Sequence, residues 1–515
     1  MRLSTQNIHM SKTCDTIMTQ FVLQQDMNLA ENKPDIASIC MKKAQVEIEE
    51  IHTFTDVVQI RGQLEYSILY ETEEDGLRLD TINAQIPFEE TISMRGITSA
   101  DSVKVMEQLE DFSISIINTR KLSMQAVILL NLAKEELYTV SLPISIEGET
   151  ECSVNRKKDK LTQIVLCKKD VFRIRQEKNI PSEYPGIAQI LWKDICLREV
   201  ECRGMDGKIA LQGNIDVFLL YEAEDGDMGI KTLELSIPFT GSVPCEDLEA
   251  GMISDVKWGI SGSEVVCKPD ADGEVRCLSI EMAIGLDINV YRERELEYIY
   301  DMYSTSKRLV PAVTHQVFQK LLAKVNGKHR IAQQVDVQQM QGIILQLLYA
   351  RGQIFIDHIE AMEEGIYLEG ALGIQVLCIT DNDTLPYETF EKSIPYNYLL
   401  EVRGGLKKAP PVACDLEKLE VGLLGNNAMD VNAVLSFHAL AFEEEAVDVI
   451  TECELEEFDK NDEARRPGIV VYVVKPGDTL WNIGKKYYVS AENLMKWNEL
   501  ESDEIRPGQK ILIVK

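Results

Sequence analysis

Histidine, cysteine and carboxylate residues could carry out chemistry in this chain, but their spacing matches no catalytic or metal-binding pattern. None of the histidines lies in an H-E-x-x-H arrangement, which places two zinc ligands on one face of a helix. The six are far apart in the sequence, at His9, His52, His315, His329, His358 and His438. The 12 cysteines form no C-x-x-C pair, and no phosphate-binding glycine loop or G-x-S-x-G motif occurs. The sequence therefore predicts neither a metal nor a cofactor.

Carboxylates are the one reactive residue type in excess, since the chain has 85 Asp and Glu against 53 Lys and Arg. A pair of carboxylates can hydrolyse a glycosidic bond and leaves no local motif, so a glycosidase stays an open alternative. Most of the acidic residues fall in expected turns or in one acidic stretch, where a solvated role is the default. We therefore predict that the protein is not an enzyme. The formal net charge of −32 also argues against nucleic acid or an anionic membrane as a partner.

Two sequence features predict where the protein works. The N-terminal residues 1–9 lack the apolar stretch of a secretory signal. The longest apolar run, residues 126–130, is far too short to span a bilayer. We therefore expect a cytosolic protein without a transmembrane segment, in which the cysteines stay reduced.

A cassette that occurs three times dominates the rest of the chain. Each copy begins with a glycine, continues with a run of mainly apolar residues, and closes with Ile-Pro-Phe or Ile-Pro-Tyr. The copies run from Gly62 to Pro87, from Gly213 to Pro238 and from Gly370 to Pro395, a distance of 25 residues each time. Identical spacing in a diverged sequence predicts a triplicated domain.

The cassette has the pattern of a β-hairpin. In the first copy Leu64, Tyr66 and Ile68 alternate with polar residues, which is the period of a half-buried strand. Turn residues follow at Asp75-Gly76, Asp225-Gly226 and Asp381-Asn382-Asp383. Proline cannot donate to a strand ladder, so the Ile-Pro pair marks a strand end or an edge strand. The repeated residue types serve a fold rather than a reaction.

These patterns predict a mainly β protein with three tandem β-sandwich-like repeats, followed by a small α+β domain. The predicted divisions are a loose N-terminal segment over 1–19, repeats over 20–154, 155–310 and 311–442, an acidic linker over 443–466, and a C-terminal domain over 467–515. Like charges repel one another, which favours an extended linker. A helical pattern over 313–322 leads into the third repeat.

The C-terminal domain has the pattern of a β-α-α-β unit. Strands are predicted over 471–474 and 511–514, and a Pro-Gly turn follows the first and precedes the second. Asp478 or Thr479 is expected to cap the first helix, and Ser490 the second.

This domain resembles the LysM family. The resemblance lies in Tyr472-x-Val474-x-Pro476-Gly477-Asp478-Thr479-Leu480-Trp481-x-Ile483, in Leu494 with Asn498, and in Pro507-Gly508-Gln509. Members of that family commonly bind N-acetylglucosamine polymers between the loop after the first strand and the loop after the second helix. The resemblance implies a groove with Gly477, Asp478, Thr479 and Leu480 on one side and Asn498, Glu499, Leu500 and Ile505 on the other. Further carboxylates at 501, 503 and 504 weaken the glycan interpretation, because sugar acetamides need apolar contact and backbone donors.

Several of these residues also have a purely structural interpretation. Helix capping alone would explain Asp478 and Thr479, and Leu480 is expected in the core. Trp481 could pack in the core or lie on the surface as an anchor for a partner. The lysines Lys475, Lys485, Lys486 and Lys496 make this domain less acidic than the rest, which would suit an acidic partner.

The three upstream repeats resemble the SPOCS domain of spore-coat-associated proteins, through the glycine, tyrosine and Ile-Pro-Phe pattern of the cassette. Three such repeats followed by one LysM domain resemble a family of clostridial coat morphogenetic proteins. That resemblance implies a scaffold in the mother-cell cytosol at the forespore surface. The implied partner is the sporulation ATPase that polymerises into the basement layer of the coat, contacted through the LysM domain. The alternative is a glycan-binding protein of the cell wall or spore cortex.

Overall fold

The computed structural model describes residues 2–514, apart from residues 73–78, 148–151, 225–228, 271–272, 338–339, 341, 385, 426–427 and 459–467. Three units precede the C-terminal domain, and each is built from six of the described strands. The first unit contains β1 (Arg2–Asn28), β2 (Ile36–Phe54), β3 (Val57–Thr72), β4 (Leu79–Ser93), β5 (Ser102–Asn118) and β6 (Lys121–Glu147). The second contains β7 (Cys152–Asn179), β8 (Ile187–Met205), β9 (Lys208–Ala223), β10 (Ile230–Pro244), β11 (Ile253–Pro269) and β12 (Val275–Ser304). The third contains β13 (Arg308–Asp336), β14 (Ile344–Met362), β15 (Gly365–Thr380), β16 (Tyr387–Glu401), β17 (Val412–Leu424) and β18 (Ala428–Glu456).

The strand order is the same in all three units. The second, third and fourth strands of a unit form one antiparallel sheet, and the first, fifth and sixth strands form another with the sixth in the middle. Alternate residues of the central strands are apolar and bring the two sheets face to face. In the first unit, Leu64 and Ile68 of β3 share a buried cluster with Ile128 and Leu130 of β6. The predicted mainly β fold of three sandwich-like repeats is confirmed.

The predicted hairpins are confirmed by the pairing of β3 with β4, of β9 with β10 and of β15 with β16. The prolines Pro87, Pro238 and Pro395 lie inside β4, β10 and β16. Each of these is an edge strand, so the proline marks an edge and not a strand end. The predicted turns at Asp75-Gly76 and Asp225-Gly226 lie outside the described residues, whereas residues 381–383 connect β15 to β16.

The three units pack against one another through equivalent second strands. A β-bulge in the second strand of each unit leaves one residue unpaired, and these residues are Cys40, Leu191 and Leu348. All three belong to one apolar cluster, to which every unit contributes. Three positions after these bulges stand Lys43, Asp194 and Arg351. The cluster and these charged side chains therefore lie where the three units meet.

Asp194 connects the three units through its side chain. Its carboxylate accepts hydrogen bonds from the ammonium of Lys43 in the first unit and from the hydroxyl of Tyr349 in the third. Burial acts to raise the pKa of Asp194, but the charges of Lys43 and Arg351 outweigh burial and hold that pKa below its usual range. We call Lys43, Asp194, Tyr349 and Arg351 the axial charge cluster.

The first and sixth strands of each unit extend beyond the sandwich as two-stranded ribbons that pack together. Leu142, Tyr298 and Val449 lie in one apolar cluster between the ribbons, and Ile146, Met302 and Cys453 lie in a second. Each sixth strand carries a bulge at an equivalent place, with Ile144, Tyr300 and Thr451 unpaired. The strand pairing therefore has the same irregularity at the same place in all three ribbons.

Three secondary-structure predictions are wrong, and all three concern segments of the ribbons. Residues 2–19 were expected to be loose but belong to β1, residues 443–456 were expected in the linker but belong to β18, and residues 313–322 were expected to be helical but belong to β13. These segments form strands because backbone pairing along the ribbons and burial of side chains such as Phe318 outweigh the local sequence preference. The rest of the predicted linker that falls within 459–466 lies outside the described residues, and the other domain boundaries stay predictions.

Among the residues that the structure describes, no helix has the length and apolar character needed to cross a membrane.

Candidate functional site

The C-terminal domain folds as the predicted β-α-α-β unit. It consists of β19 (Ile469–Val473), α1 (Leu480–Tyr487), α2 (Ala491–Trp497) and β20 (Lys510–Val514), and β19 pairs with β20. The hydroxyls of Thr479 and Ser490 cap the helices by accepting hydrogen bonds of 3.1 and 3.2 Å from backbone N–H groups. The domain has its own apolar core, formed by Val474, Leu480, Ile483, Val489, Leu494, Ile511 and Ile513.

The two loops expected to border a groove are joined by backbone hydrogen bonds. The N–H of Val474 donates to the carbonyl of Gln509 at 2.9 Å, and the N–H of Gly508 donates to the carbonyl of Val474 at 2.8 Å. Gly477 turns the first loop with a φ of 89°, a conformation that glycine adopts without strain. The fold therefore brings together the two chain segments that carry the predicted site residues.

The side chains of the first loop mainly serve the fold. The carboxylate of Asp478 accepts 2.8 Å hydrogen bonds from the hydroxyl of Tyr472 and the N–H of Lys475. The backbone bond from Lys475, followed by the bond from Tyr472, holds the pKa of Asp478 below its usual range. Thr479 is the cap of α1, and Leu480 is buried in the core. The Lys475 side chain, by contrast, is exposed.

The second loop is also held by its own polar groups. The side-chain amide of Asn498 donates to the carbonyls of Leu494 (2.8 Å) and Leu512 (2.7 Å), and its oxygen accepts from the N–H of Leu512 at 2.6 Å. These bonds fasten the end of α2 to β20. Leu500 and Ile505 are partly buried against the core of the domain. The rim of this loop is acidic and exposed at Glu499, Glu501, Asp503 and Glu504.

The first helix contacts the second unit of the chain. Trp481 and Lys485, one turn apart on α1, both reach Asp301 near the end of β12. The indole N–H of Trp481 donates to one carboxylate oxygen at 2.7 Å, and the ammonium of Lys485 lies 2.5 Å from the other. The Tyr303 ring meets the Trp481 ring edge-on at a centroid distance of 4.8 Å, and its hydroxyl donates to the carbonyl of Val489 at 2.8 Å. Trp481 is thus half-buried at a contact between domains, outside the core of its own domain.

Comparison with protein-family models identifies both kinds of domain. Residues 472–514 match the LysM domain, and residues 35–117 and 186–268 match the model described as SipL, SPOCS domain. The chain thus combines SPOCS domains with a LysM domain. The third unit lies outside the matched ranges, yet β13 to β18 repeat the strand order of the two matched units.

Similarity to curated proteins is confined to short segments. The uncharacterized protein YkzQ of Bacillus subtilis is 51% identical over 43 residues, which are 8% of this chain and 57% of YkzQ. The probable endopeptidase p60 of Listeria monocytogenes is 48% identical over 42 residues, 8% of this chain and 9% of the endopeptidase. The p60 of Listeria innocua is 50% identical over 40 residues, with the same coverage. No solved structure matches the chain.

The two domain types indicate a sporulation-related protein that carries a domain of the cell-wall-binding type. The similarity to the endopeptidases covers the LysM segment alone and brings in no catalytic domain. The matched segments span less than two thirds of YkzQ and of both endopeptidases.

Asp301 and Tyr303 were missed by the sequence analysis, although a comparison of the three β units at this place reveals them. One position after the ribbon bulge the units have Ser145, Asp301 and Glu452, and three positions after it they have Glu147, Tyr303 and Glu454. The second unit is the one that combines an acid with an aromatic residue there. The ribbon of the second unit therefore offers the LysM domain a surface that its two sister ribbons lack.

A cleft of about 1080 Å³ opens between the three β units. Asp255 of the second unit and Asp415 and His438 of the third line it. Burial raises the pKa of Asp255, and burial together with the charge of Glu417 raises the pKa of Asp415 to about 6. His438 lies 3.8 Å from Asp415, but burial lowers the pKa of His438. Within the described ranges, no three His, Cys, Asp or Glu side chains are grouped so as to hold a metal ion.

Replacing Asp415 by asparagine is expected to stabilise the protein at pH 7.5 by about 1–2 kcal/mol. The folded pKa of about 6 lies above the ordinary value of 3.8, so the contribution of protonated Asp415 to stability is fully present below pH 3.8 and is lost as the pH rises through 6. The D415N variant does not lose this contribution. Denaturant unfolding at pH 4 and pH 7.5 measures the difference, with the exposed turn residue Asp383→Asn as control. An equal stability of D415N and the wild type at both pH values contradicts the prediction.

Proposed function

We propose that this protein is a non-enzymatic adaptor of endospore coat assembly. Its LysM domain docks onto the ATPase that builds the basement layer of the coat, at the forespore surface and in the mother-cell cytosol. The three SPOCS units form the platform that the LysM domain connects to that layer. The combination of SPOCS and LysM domains supports the sporulation setting, and the identity of the partner rests on the family resemblance.

The hydrogen bonds already present in the LysM groove favour a protein partner over a sugar. The polar side chains expected to meet a sugar, Asp478 and Asn498, already form hydrogen bonds inside the domain. A sugar that accepted from the Asn498 amide would have to displace its bonds to two carbonyls and leave those carbonyls without a partner. The two bonds to Asp478 fix the orientation of its carboxylate. The acidic rim of the second loop adds carboxylates where apolar contact is needed.

Charge on the LysM domain also supports a protein partner. Residues 468–515 carry seven Lys and Arg and six Asp and Glu, in a chain whose overall balance is −32. Lys475 and Lys496 are exposed on this domain. Because the LysM domain is less acidic than the rest of the chain, an acidic partner is attracted to this domain rather than to the three units.

A second candidate function is binding of N-acetylglucosamine polymers in the cell wall or spore cortex. The match to the LysM domain favours it, because that kind of domain commonly binds such polymers. The backbone of Gly477 and the partly buried Leu500 and Ile505 border the two loops and could meet acetamide groups. This candidate requires the chain to reach peptidoglycan.

Binding of the full chain to the purified coat ATPase and to insoluble peptidoglycan tests the two candidates against each other. We expect saturable binding to the ATPase and no retention on peptidoglycan at physiological salt. Reversing two charges, with Lys475→Glu and Lys496→Glu together, is expected to weaken the ATPase complex about tenfold, and more at low salt.

The matched control reverses two exposed lysines of the second SPOCS unit, Lys208→Glu and Lys231→Glu. This control is expected to bind as the wild type does. Retention on peptidoglycan without binding to the ATPase would replace the first candidate by the second. Equal losses in both double variants would show that the charge of the whole chain, and not the LysM domain, governs the contact.

A further inference from the structure

The contact between the LysM domain and the second SPOCS unit is built from specific, directional interactions. Both oxygens of the Asp301 carboxylate receive donors from α1, one from Trp481 and one from Lys485. Because residues four apart lie on the same face of a helix, these two side chains reach the same carboxylate together. The hydroxyl of the buried Tyr303 adds a bond to the carbonyl of Val489, just beyond the end of α1.

Gly484 allows α1 to come this close to the ribbon. A Cβ built at this position would lie 2.6 Å from the Tyr303 hydroxyl oxygen and 2.5 Å from the carbonyl oxygen of Val489. The position is buried in the middle of a helix, where glycine costs up to about 1 kcal/mol relative to alanine. The Val489 carbonyl belongs to the LysM domain itself, so the fold of that domain already requires glycine here, and the Tyr303 hydroxyl is a second atom that a side chain would meet.

The contact covers one face of the LysM domain and leaves another open. Trp481 is half-buried against Tyr303, whereas Lys475, Gly477 and Glu499 of the two loops are exposed in the same arrangement. Residues 457–468 join β18 to β19. Phe458 at the start of this segment meets the Tyr488 ring at a centroid distance of 4.7 Å, next to the same contact.

We propose that the end of β12 is a docking site for the chain's own LysM domain, and that docking withholds the Trp481 face of α1 from other partners. The occupant is this LysM domain, because its Trp481, Lys485 and Val489 are seated there. A partner that uses the Trp481 face has to compete with Asp301 and Tyr303, while a ligand of the two loops does not. This consequence for partners rests on the proposed function, but the docking itself does not.

Hydrogen exchange and hydroxyl-radical footprinting of the full chain test the docking without any partner. In Asp301→Ala and in Lys485→Ala, we expect the amides of residues 480–489 to exchange several-fold faster than in the wild type. We also expect oxidation of Trp481 to increase several-fold in both variants. Tyr303→Phe, which removes one bond and keeps the ring, should give a smaller increase.

The matched control is Glu452→Ala, which removes a carboxylate at the equivalent place of the third ribbon. It should leave both readouts unchanged. Unchanged exchange and oxidation in Asp301→Ala and Lys485→Ala would overturn the proposal. A concentration-dependent dimer that Asp301→Ala dissociates would overturn docking within one chain, because the LysM domain would then be held by a second copy.

The effect on partners is measured separately with the purified coat ATPase and with insoluble peptidoglycan. Release of the LysM domain should raise the affinity of Asp301→Ala for the ATPase about tenfold and leave any retention on peptidoglycan unchanged. A released domain with unchanged affinity for the ATPase would overturn the competition. If no variant binds the ATPase while exchange and oxidation still respond to Asp301→Ala, the proposed function fails and the docking stands.

Discussion

Replacing Gly370 by alanine is expected to lower the free energy of unfolding by about 3 kcal/mol. The alanine Cβ would lie 2.1 Å from the carbonyl oxygen of Phe355 and 2.9 Å from the hydroxyl oxygen of Tyr396. Gly370 and Tyr396 are cross-strand neighbours, and the Tyr396 hydroxyl donates to the same Phe355 carbonyl at 3.0 Å. Relief of the clash would have to move the backbone of β14 and break this hydrogen bond.

The same substitution in the sister unit provides a graded comparison. At Gly213 the new Cβ would lie 3.0 Å from the ring of Phe239 and 3.2 Å from the nearest backbone oxygen, so smaller shifts suffice and about 1 kcal/mol is expected. At Gly259 of β11 no atom lies within 4 Å, and the change should stay within about 0.5 kcal/mol. Denaturant unfolding followed by circular dichroism measures all three. Equal losses at Gly370 and Gly259 would contradict the explanation by close approach.

Replacing Asp194 by alanine is expected to destabilise the packing of the three β units by about 3–5 kcal/mol. The substitution leaves Lys43 and Arg351 without the carboxylate between them and removes the acceptor of the Tyr349 hydroxyl. Since these groups belong to all three units, the loss weakens their packing against one another more than the core of any one sandwich.

Acid should reduce this effect. The pKa of Asp194 is held below its ordinary value of 3.8, so its contribution is fully present above pH 3.8 and is lost as the pH falls through the lower folded pKa. Unfolding curves of the wild type and D194A at neutral pH and in acid measure the difference, which should shrink in acid. Lys193→Ala, at an exposed position next in sequence, is the control and should change stability by less than about 0.5 kcal/mol. A variant D194A as stable as this control would refute a role of the axial charge cluster.

The cassette shows what a repeated sequence pattern predicts about the fold and what it leaves undetermined. The equal spacing of glycine and proline predicted three hairpins, and the pairing confirms them. The pattern reflects a contact between neighbouring strands, because each cassette glycine lies opposite the closing aromatic residue. These cross-strand pairs are Gly62 with Phe88, Gly213 with Phe239, and Gly370 with Tyr396. A side chain on the glycine would meet the aromatic side chain in each unit, and at Gly62 and Gly370 it would collide first with a backbone carbonyl oxygen of the second strand.

The LysM domain was predicted in more detail than the ribbons, and the difference has a physical cause. Capping, turn chemistry and short-range burial are local, so residues 468–514 could be assigned from their own sequence. The ribbons bury Phe318 and Val449 against other units, and a charged segment such as 443–456 pairs because a partner strand lies beside it. Such partners are more than a hundred residues apart or come from another repeat, and no local pattern specifies them.

By itself, the sequence determined that this chain has three copies of one β unit and a LysM domain, because repeats, alternation and turn residues are short-range signals. The tertiary structure alone decided that the three units pack against one another, with Lys43 and Arg351 of two units acting on Asp194 of another. It also decided that Trp481 rests on Asp301 and Tyr303 of the second unit. Contacts of this kind depend on the packing of distant surfaces, where the identity of one side chain matters only once its partner is in place.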